Sequence, residues 1–357
     1  MKKKVIVGMS GGVDSSVAAL ILKEQGYDVI GVTMQIWQDE DYCETSENGG
    51  CCGLSAVEDA RRVAETIGIP YYVMNFKKEF QSKVIDYFIK EYLNGRTPNP
   101  CIACNRYIKW EALLHRAISI GADYIATGHY GRIALLPNGR YAVTKSASVE
   151  KDQSYVLYNL TQEELSRTLF PLFQYKKDEV RKIALDNGLN VAHKKDSQDI
   201  CFIKDGDYAG FIEQSTGIKP EPGNFVDIHG NVLGRHKGII HYTVGQRKGL
   251  GIAFGEPRFV LRLNMKDNEV VLGTNEDLMS KTVIVDDVNY MAVDSIETPL
   301  RATGKVRYSQ KDVPCTIYPE AGGRVRAEFD EPVRAAAPGQ SGVFYDGDNI
   351  ICGGTII

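Results

Sequence analysis

The chain has 357 residues, of which 43% are hydrophobic and 25% are charged, and its formal net charge is −4. This length predicts two or three domains of about 100–200 residues each. No run of about 18 apolar residues occurs, and the apolar stretch after the N-terminal lysines breaks at Ser10-Gly11-Gly12, so neither a membrane span nor a signal peptide is expected. We therefore expect a cytoplasmic protein whose cysteines are reduced, metal-bound or catalytic. The acidic balance does not exclude a nucleic-acid partner, because local basic patches decide phosphate contacts.

The first predicted strand, Val5–Gly8, leads into a glycine-rich turn and then into a helix that begins near Asp14. A strand, a glycine loop and a helix N-terminus form an anion site, because backbone amides approach a phosphate and the helix dipole favours negative charge. No Lys follows Gly12, which excludes a Walker A loop, and the glycine spacing excludes a dinucleotide fingerprint. The remaining pattern, residues 10–15, resembles the pyrophosphate loop of the ATP pyrophosphatases. The alternative is an ordinary glycine-rich turn.

Predicted strands and helices then alternate through the first half of the chain. Ser55 is expected to open a capping box and Asn105 to cap a later helix. Asn138-Gly139 predicts a hairpin. The further strands are predicted at 29–34, 71–76 and 123–127, and the helices at 55–67, 80–91, 105–117 and 176–185. This alternation predicts an α/β fold with a doubly wound, mostly parallel sheet, in which ligands bind beyond the C-terminal ends of the strands.

Changes in composition divide the chain into three predicted domains. Residues 1–205 form the catalytic domain of the ATP pyrophosphatase (PP-loop) type. Residues 206–275 are dense in Gly and Pro and predict a small central or adaptor domain. Residues 276–357 predict a C-terminal antiparallel β-barrel. The short alternating strands of this barrel are predicted at 282–286, 301–308, 316–318, 324–329, 342–345 and 355–357.

The cysteines fall into two kinds by their surroundings. Cys315 and Cys352 lie in strand patterns and are interpreted as small apolar core residues. Cys43, Cys51 and Cys52 share a glycine-rich loop, but their spacing fits no common pair of zinc ligands, so a plain structural role is favoured.

Cys104 lies just before a predicted helix N-cap, where the helix dipole lowers the pKa of a thiol from about 8.5. A thiol nucleophile in a domain that activates ATP suits sulfur transfer, and Cys201 is a candidate partner at a loop of the same domain. Cys101-x-x-Cys104 alone does not discriminate between zinc, redox and iron–sulfur roles. Cys101, Cys104 and Cys201 together offer three thiolates, which suit an iron–sulfur cluster with one open iron.

Several segments, taken in order, resemble the bacterial tRNA-specific 2-thiouridylases (the MnmA/TrmU type) over nearly the whole chain. The segments that carry the resemblance are 8–16, 95–101, 104–105, 126–130, 151–155, 197–202, 241–247 and 306–308. The resemblance implies that ATP adenylates C2 of the wobble uridine, position 34 of tRNA, with release of pyrophosphate. Sulfur then replaces the oxygen and AMP leaves, giving 2-thiouridine.

The resemblance also implies a role for each matching residue. Cys201 would carry a persulfide, and Cys104 would act as the nucleophile that releases the sulfur and transiently forms a disulfide with Cys201. The ATP-binding residues would be Gly8, Met9, Ser10, Gly11, Gly12, Val13, Asp14, Ser15, Met34 and Gly128. The tRNA-binding residues would be Asn99, Pro100 and Cys101 at the target base, and His129, Lys151, Asp152, Gln153, Arg307, Tyr308 and Gln340 elsewhere.

Four of these tRNA contacts have a plainer alternative, whereas Arg307 and Lys151 suit phosphate contacts. Asp152 and Gln340 suit ordinary surface positions, Tyr308 suits a barrel core, and His129 suits a hydrogen-bonded turn.

One departure from the family pattern affects the mechanism, because many members have Asp where this chain has Cys101. Two mechanisms therefore stay open: a persulfide relay, which is favoured, and a [4Fe-4S] cluster whose open iron carries the sulfur.

The expected cofactors are ATP and Mg²⁺, since a divalent ion neutralises the pyrophosphate leaving group. The expected partners are tRNA and a sulfur-donor protein, either a cysteine desulfurase or a sulfur carrier; neither DNA nor a membrane is expected. Two rival functions remain at this stage. One is a PP-loop ligase or amidotransferase-like enzyme acting on a small molecule, and the other is an RNA-binding module with a vestigial nucleotide loop.

Overall fold

The computed structural model describes residues 2–36, 54–194, 200–203, 206–252 and 255–357. The loop that carries Cys43, Cys51 and Cys52, and the motif residues 197–199, lie outside the described residues. Among the described residues, no helix is both long enough and apolar enough to cross a membrane.

The described chain consists of alternating helices and strands, followed by strands alone. The strands are β1 (Lys4–Gly8), β2 (Asp28–Gln35), β3 (Tyr71–Asn75), β4 (Tyr124–Ala126), β5 (Arg132–Leu135), β6 (Tyr141–Thr144), β7 (Thr168–Leu169), β8 (Gly223–Val226), β9 (Val232–His236), β10 (Phe259–Asn264), β11 (Glu269–Gly273), β12 (Met279–Tyr290), β13 (Leu300–Lys305), β14 (Val313–Glu320), β15 (Arg324–Arg334), β16 (Ser341–Asp346) and β17 (Asn349–Ile356). The α-helices are α1 (Val13–Glu24), α2 (Leu54–Ile67), α3 (Lys77–Phe80), α4 (Asp86–Leu93), α5 (Pro100–Ala103), α6 (Leu113–Ser119), α7 (Gln162–Ser166), α8 (Lys177–Asp186) and α9 (Tyr208–Thr216). Two π-helical stretches lie at Gln81–Ile85 and Cys104–Ala112, and short 3-10 turns lie at Val149–Lys151, Ser154–Leu157, Ile239–His241 and Glu276–Leu278.

The chain folds into two compact units. The first contains Met1–Ile85, Cys101–Phe202 and Asp348–Ile350, and the second contains Asp86–Pro100, Ile203–Gly347 and Ile351–Ile357. The three-domain division at residues 205 and 275 stays a prediction.

The first unit is built on a parallel sheet with the strand order β3-β2-β1-β4-β7. The central strand β1 pairs in parallel with both β2 and β4. Its residues Val5, Ile6 and Val7 are fully buried, which is expected of a parallel strand covered on both faces. Val17 and Leu20 of α1 join the core on one of those faces. The predicted doubly wound parallel sheet is confirmed.

Two predicted helix starts in this unit are wrong. Helix α2 begins at Leu54, so Ser55 is already its second residue and does not cap it. The helix predicted to start at Asn105 begins earlier, at Pro100, and continues as a π-helix from Cys104. Pro100 is compatible with this start, since the first helical residue needs no amide donor. The extended segment expected from the two prolines therefore ends at Asn99.

The second unit contains a small sheet and a barrel. The sheet has the order β10-β11-β8-β9. Helices α4 and α9 of this unit meet through Tyr92 and Tyr208, whose ring centroids are 4.8 Å apart. Strands β12 to β17 form an antiparallel barrel that closes where β12 pairs with β17, at Val285 opposite Ile356. The predicted C-terminal barrel is confirmed, although β17 begins at Asn349, well before the predicted strand at 355–357.

The small sheet contains a buried histidine that acts as a structural hydrogen-bonding group. His236 is 2% exposed, and its Nδ1 accepts from the backbone amides of Gly223 and Gly238 at 3.3 and 3.1 Å. Its Nε2 lies 3.1 Å from the carbonyl oxygen of Asn268 and must donate to it. Protonation would place a hydrogen on Nδ1 and break two backbone hydrogen bonds.

We expect the protein to lose stability in mild acid, partly through this histidine. Burial lowers the pKa of His236 below its ordinary value of 6.5, so the unfolded state binds the proton more readily. Neutral His236 therefore stabilises the folded protein at pH values above 6.5. This stabilisation is lost as the pH falls below 6.5 towards the lowered pKa of the folded state. Urea unfolding at pH 7.5 and 5.5 tests this. His236→Gln should reduce the change in the free energy of unfolding between these two pH values, whereas His229→Gln, at an exposed position, should leave that change as in the wild type. An equal effect of both variants would show that His236 is not the cause.

Candidate functional site

The turn after β1 is shaped by its own serine hydroxyls. Ser15 Oγ accepts from the backbone amide of Ser10 at 3.1 Å and donates to the carbonyl of Gly12 at 3.2 Å. Ser16 Oγ donates to the same carbonyl at 2.9 Å. Gly12 occupies the N-cap position of α1 and has no side chain with which to cap the helix. The first-turn amides of α1 therefore remain available to an anion, as the sequence predicts.

Two glycines allow the loop to approach its neighbours. Gly11 has a φ of +69°, and a Cβ atom there would lie 2.2 Å from the carbonyl oxygen of Ala56. Gly128 follows β4, and a Cβ atom there would lie 2.6 Å from the amide nitrogen of Ser15. Met34, at the end of β2, brings its Cε to 3.8 Å from an ideal Cβ at Gly8. The structure therefore brings the predicted nucleotide residues of three strands together.

Lysines from a distant part of the chain reach the same loop. Lys177 Nζ lies 2.8 and 2.7 Å from the two carboxylate oxygens of Asp14, and Tyr130 donates its hydroxyl to Asp14 at 2.7 Å. Lys194 Nζ lies 3.0 Å from the carbonyl oxygen of Gly11 and also pairs with Asp59 at 2.9 Å. Sequence reasoning missed both lysines, because they are more than 160 residues away from the loop in the chain.

The candidate nucleophile lies inside a helix rather than before one. Cys104 is the first residue of the π-helical stretch Cys104–Ala112, and it is partly buried. The proposed cap residue Asn105 is instead buried, and it donates its side-chain amide to the carbonyl of Val156 at 2.8 Å. The prediction that Cys104 precedes a helix N-cap is therefore wrong. A π-helical turn is uncommon, and such turns occur frequently at functional sites.

Cys101 and Cys201 are exposed thiols of the first unit. Among the described residues, no three His, Cys, Asp or Glu side chains are grouped closely enough to hold a metal ion. The described residues therefore show no preformed metal-ion site at Cys101, Cys104 and Cys201.

Two of the predicted tRNA residues, Asp152 and Gln153, bind the protein's own backbone. Asp152 accepts from the amide of Ser146 at 2.9 Å and from the hydroxyl of Ser154 at 2.7 Å. Gln153 exchanges hydrogen bonds with the backbone of Tyr130, at 2.9 and 2.8 Å. These contacts shape the segment that begins at Lys151, so a role at the tRNA surface stays a prediction for all three residues.

His129 is held in a polar network beside the nucleotide residues. Its Nδ1 lies 2.7 Å from Thr127 Oγ1 and its Nε2 lies 3.4 Å from Lys109 Nζ. An ammonium group only donates, so Nε2 accepts, and the ring proton resides on Nδ1. Burial, together with the charge of Lys109, lowers the pKa of His129 well below its usual value. The imidazole is therefore neutral at physiological pH.

The remaining predicted tRNA residues belong to the second unit. Arg307 donates to the carbonyls of Ala335 and Val244 at 2.9 and 2.7 Å, while Tyr308 is 44% exposed. Tyr308 is therefore not a barrel core residue, and Arg307 holds two segments of its own unit together. Gln340 donates its side-chain amide to the carbonyl of Thr97 at 2.9 Å, two residues before Asn99.

The Arg96–Asn99 segment, which leads to the predicted target-base residues, rests on the loop at 337–340. The amide of Thr97 donates to the carbonyl of Pro338 at 2.8 Å. Gly339 has a φ of +91°, and a Cβ atom there would lie 2.9 Å from the amide nitrogen of Thr97. The segment can approach the loop this closely because Gly339 has no side chain.

We expect Gly339→Ala to lower the free energy of unfolding by about 1–3 kcal/mol, through left-handed backbone strain and the contact with Thr97. Thermal denaturation measures this. Gly322→Ala is the matched control, since Gly322 has a φ of +77° and nothing within 4 Å of its ideal Cβ atom. If both variants lose the same free energy of unfolding, backbone strain accounts for the whole effect and the contact with Thr97 contributes nothing.

Three family models match successive parts of the chain. They are described as a tRNA methyl transferase HUP domain, matching residues 3–205, a tRNA methyl transferase PRC-barrel domain, matching residues 209–274, and an aminomethyltransferase beta-barrel domain, matching residues 280–356. Together with the parallel sheet and the glycine loop, the first match defines a HUP-domain protein of the nucleotide-binding kind.

Curated relatives identify the family within this class. The tRNA-specific 2-thiouridylase MnmA of Lachnoclostridium phytofermentans is 63% identical over 355 residues, which is 99% of both chains. The protein of the same name from Clostridioides difficile is 57% identical over 357 residues, covering 100% of this chain and 98% of the relative. The chain belongs to the tRNA-specific 2-thiouridylase family, and the predicted resemblance is confirmed.

A solved 4-thiouridine synthetase in complex with RNA and bound ATP is also similar to part of the chain. The two proteins are 18% identical, and the match covers 56% of this chain and 45% of the synthetase chain, with a TM-score of 0.38.

Proposed function

We propose that this chain thiolates C2 of uridine 34 of tRNA in two steps, adenylation by ATP followed by sulfur transfer. The observation that supports the first step is the loop at residues 8–15, whose helix amides, glycine approaches and nearby lysines suit a polyphosphate. The observation that supports the second is a partly buried thiol, Cys104, on a π-helical turn of the same unit.

In the first step the loop would bind the phosphates of ATP. Backbone amides of residues 11–15 would contact the phosphates, and Met34 and Gly128 would flank the nucleotide. The C2 oxygen of the uridine attacks the α-phosphorus, and the bond to the β-phosphate oxygen breaks, so pyrophosphate leaves. A magnesium ion carried by the phosphates would offset their charge.

In the second step the sulfur would come from a persulfide on Cys201. The Cys104 thiolate attacks the inner sulfur of this persulfide, which forms a Cys104–Cys201 disulfide and releases hydrosulfide. Hydrosulfide then attacks C2, a C–S bond forms, and the C2–O bond breaks so that AMP leaves. The persulfide sulfur is reduced while the two thiols are oxidised, so each turnover needs a new persulfide from a sulfur-donor protein and reduction of the disulfide.

Among the described residues, Cys101, Cys104 and Cys201 form no group of three that would hold a metal ion. We therefore derive no step through a cluster. The contacts with tRNA are assigned by the family pattern to Asn99, Pro100 and Cys101 at the base, and to His129, Lys151, Asp152, Gln153, Arg307, Tyr308 and Gln340 elsewhere. Exposed Tyr308 suits direct contact. Gln340 and Asp152 would act mainly by shaping their loops.

The test is a reaction of purified protein with ATP, tRNA and a persulfide donor. We expect AMP, pyrophosphate and 2-thiouridine in equal amounts, with no ATP cleavage when tRNA is omitted. ATP cleavage that needs a small molecule instead of tRNA would indicate the rival enzyme. Binding of tRNA without ATP cleavage would indicate an RNA-binding module.

A further inference from the structure

Three lysines of the first unit lie at the proposed site, and one of them differs from the others in its partners. Lys177 pairs with Asp14 and Lys194 pairs with Asp59, each through a carboxylate. Lys109 Nζ contacts two neutral groups instead, Oδ1 of Asn105 at 2.8 Å and Nε2 of His129 at 3.4 Å. In the part of the chain that the structure describes, no carboxylate forms an ion pair with Lys109.

Lys109 is partly buried. Buried lysines in proteins are normally paired, since desolvation of an unpaired ammonium is costly. The neighbouring groups do not supply negative charge, because the imidazole of His129 is neutral and the Asn105 amide is uncharged. The network therefore carries a net positive charge and is suited to an anionic ligand.

The location of Lys109 indicates which anion this is. Side chains on a helix point back towards its N-terminus, and the contact with Asn105 places the ammonium at the turn that also carries Cys104. On its other side, Lys109 contacts His129, the residue after Gly128. The ammonium thus lies between the turn of the proposed nucleophile and the strand end proposed to flank the nucleotide.

We propose that Lys109 binds the phosphate of the adenylated uridine and stabilises AMP as it leaves during sulfur transfer. This inference rests on the proposed function. When the C2–O bond breaks, its electron pair goes to the phosphate oxygen, and the charge on AMP grows by one unit. An ammonium held in place by Asn105 and His129 stabilises that charge without rearrangement. Asn105 is in turn fixed by the carbonyl of Val156.

The test compares Lys109→Met and Lys109→Arg with the wild type in single turnover, following pyrophosphate, AMP and 2-thiouridine separately. Removal of one such charge-stabilising group typically slows a step by about 100–1,000-fold. We expect Lys109→Met to release pyrophosphate within about threefold of the wild-type rate and to release AMP about 100-fold more slowly, so that adenylated tRNA accumulates. Lys109→Arg should restore much of the AMP release. Lys182→Met, an exposed lysine change in helix α8, is the matched control and should behave as wild type.

Other outcomes would overturn the inference. If Lys109→Met slows pyrophosphate and AMP release equally, Lys109 acts in adenylation or in folding, and thermal denaturation separates these two. If both rates are unchanged, the ammonium is merely solvated. A wild-type protein that releases no pyrophosphate with tRNA would refute the proposed function itself, whereas a normal wild type with a normal Lys109→Met variant refutes only this inference.

Discussion

Gly128→Ala is expected to abolish tRNA-dependent pyrophosphate release almost completely. The new methyl group would lie 2.6 Å from the amide nitrogen of Ser15 and 2.7 Å from the carbonyl carbon of Asp14, and both neighbours are backbone atoms that cannot rotate away. The start of α1 must therefore shift relative to β4. Since a misplacement of about 1 Å costs about 100-fold in rate, we expect at least that loss in a single-turnover pyrophosphate assay.

The control for this change is Gly131→Ala, three residues further along the chain. The nearest atom to a Cβ there is Cδ1 of Leu157 at 3.3 Å, at the end of a flexible side chain. We expect this variant to retain activity within a few-fold and to unfold at nearly the wild-type temperature. If Gly128→Ala stays active while it folds normally, the end of β4 is not part of the ATP site.

Cys104→Ala should separate the two half-reactions. Without the nucleophile no hydrosulfide is released from the persulfide, so formation of 2-thiouridine should fall by more than about 1,000-fold. Pyrophosphate release should persist within a few-fold of wild type, because the loop at residues 8–15 is untouched. Cys201→Ala should show the same pattern. Mass spectrometry of the tRNA, together with a pyrophosphate assay, measures both steps in one reaction.

A cysteine of the barrel provides the control. Cys315 is fully buried in the barrel core, where burial raises the pKa of its thiol to about 12, so it is not a nucleophile at neutral pH. Cys315→Ala should lower stability but leave both half-reactions intact. Thiolation by Cys104→Ala at the wild-type rate would remove this residue from the mechanism.

The layout of the fold follows directly from local patterns in the sequence. The β-branched run at residues 5–7 is typical of a buried parallel strand, and it occupies the centre of the sheet. Asn138-Gly139 lies between β5 and β6, where Gly139 has a φ of +82°. These features depend on neighbouring residues alone, so they could be predicted from the sequence.

The details of the site depend on residues that are distant in sequence. The loop has no lysine of its own, which correctly excluded a Walker A motif, yet Lys177 and Lys194 reach it from residues far downstream. No local pattern marks such lysines, because their positions are set by the packing of α8 and the chain after it. Asn105 is a second example, because its position in the sequence is typical of an N-cap, yet its side chain binds the distant carbonyl of Val156 instead.

The most direct test of the central claim is single-turnover thiolation of tRNA by protein prepared without oxygen. The protein is used in two forms, one free of iron and loaded with persulfide, and one reconstituted with an iron–sulfur cluster. Cys101→Ala is measured in parallel in both forms. Cys101, which is exposed, distinguishes the persulfide relay from the cluster mechanism. The relay does not use its thiol, whereas a cluster held by three thiolates requires it.

We expect the iron-free, persulfide-loaded protein to thiolate one equivalent of tRNA, and we expect Cys101→Ala to do the same. Cys104 and Cys201 would then form the relay, with Cys101 outside the chemistry. If only the cluster form is active and Cys101→Ala abolishes that activity, the three thiols are iron ligands and the relay is wrong.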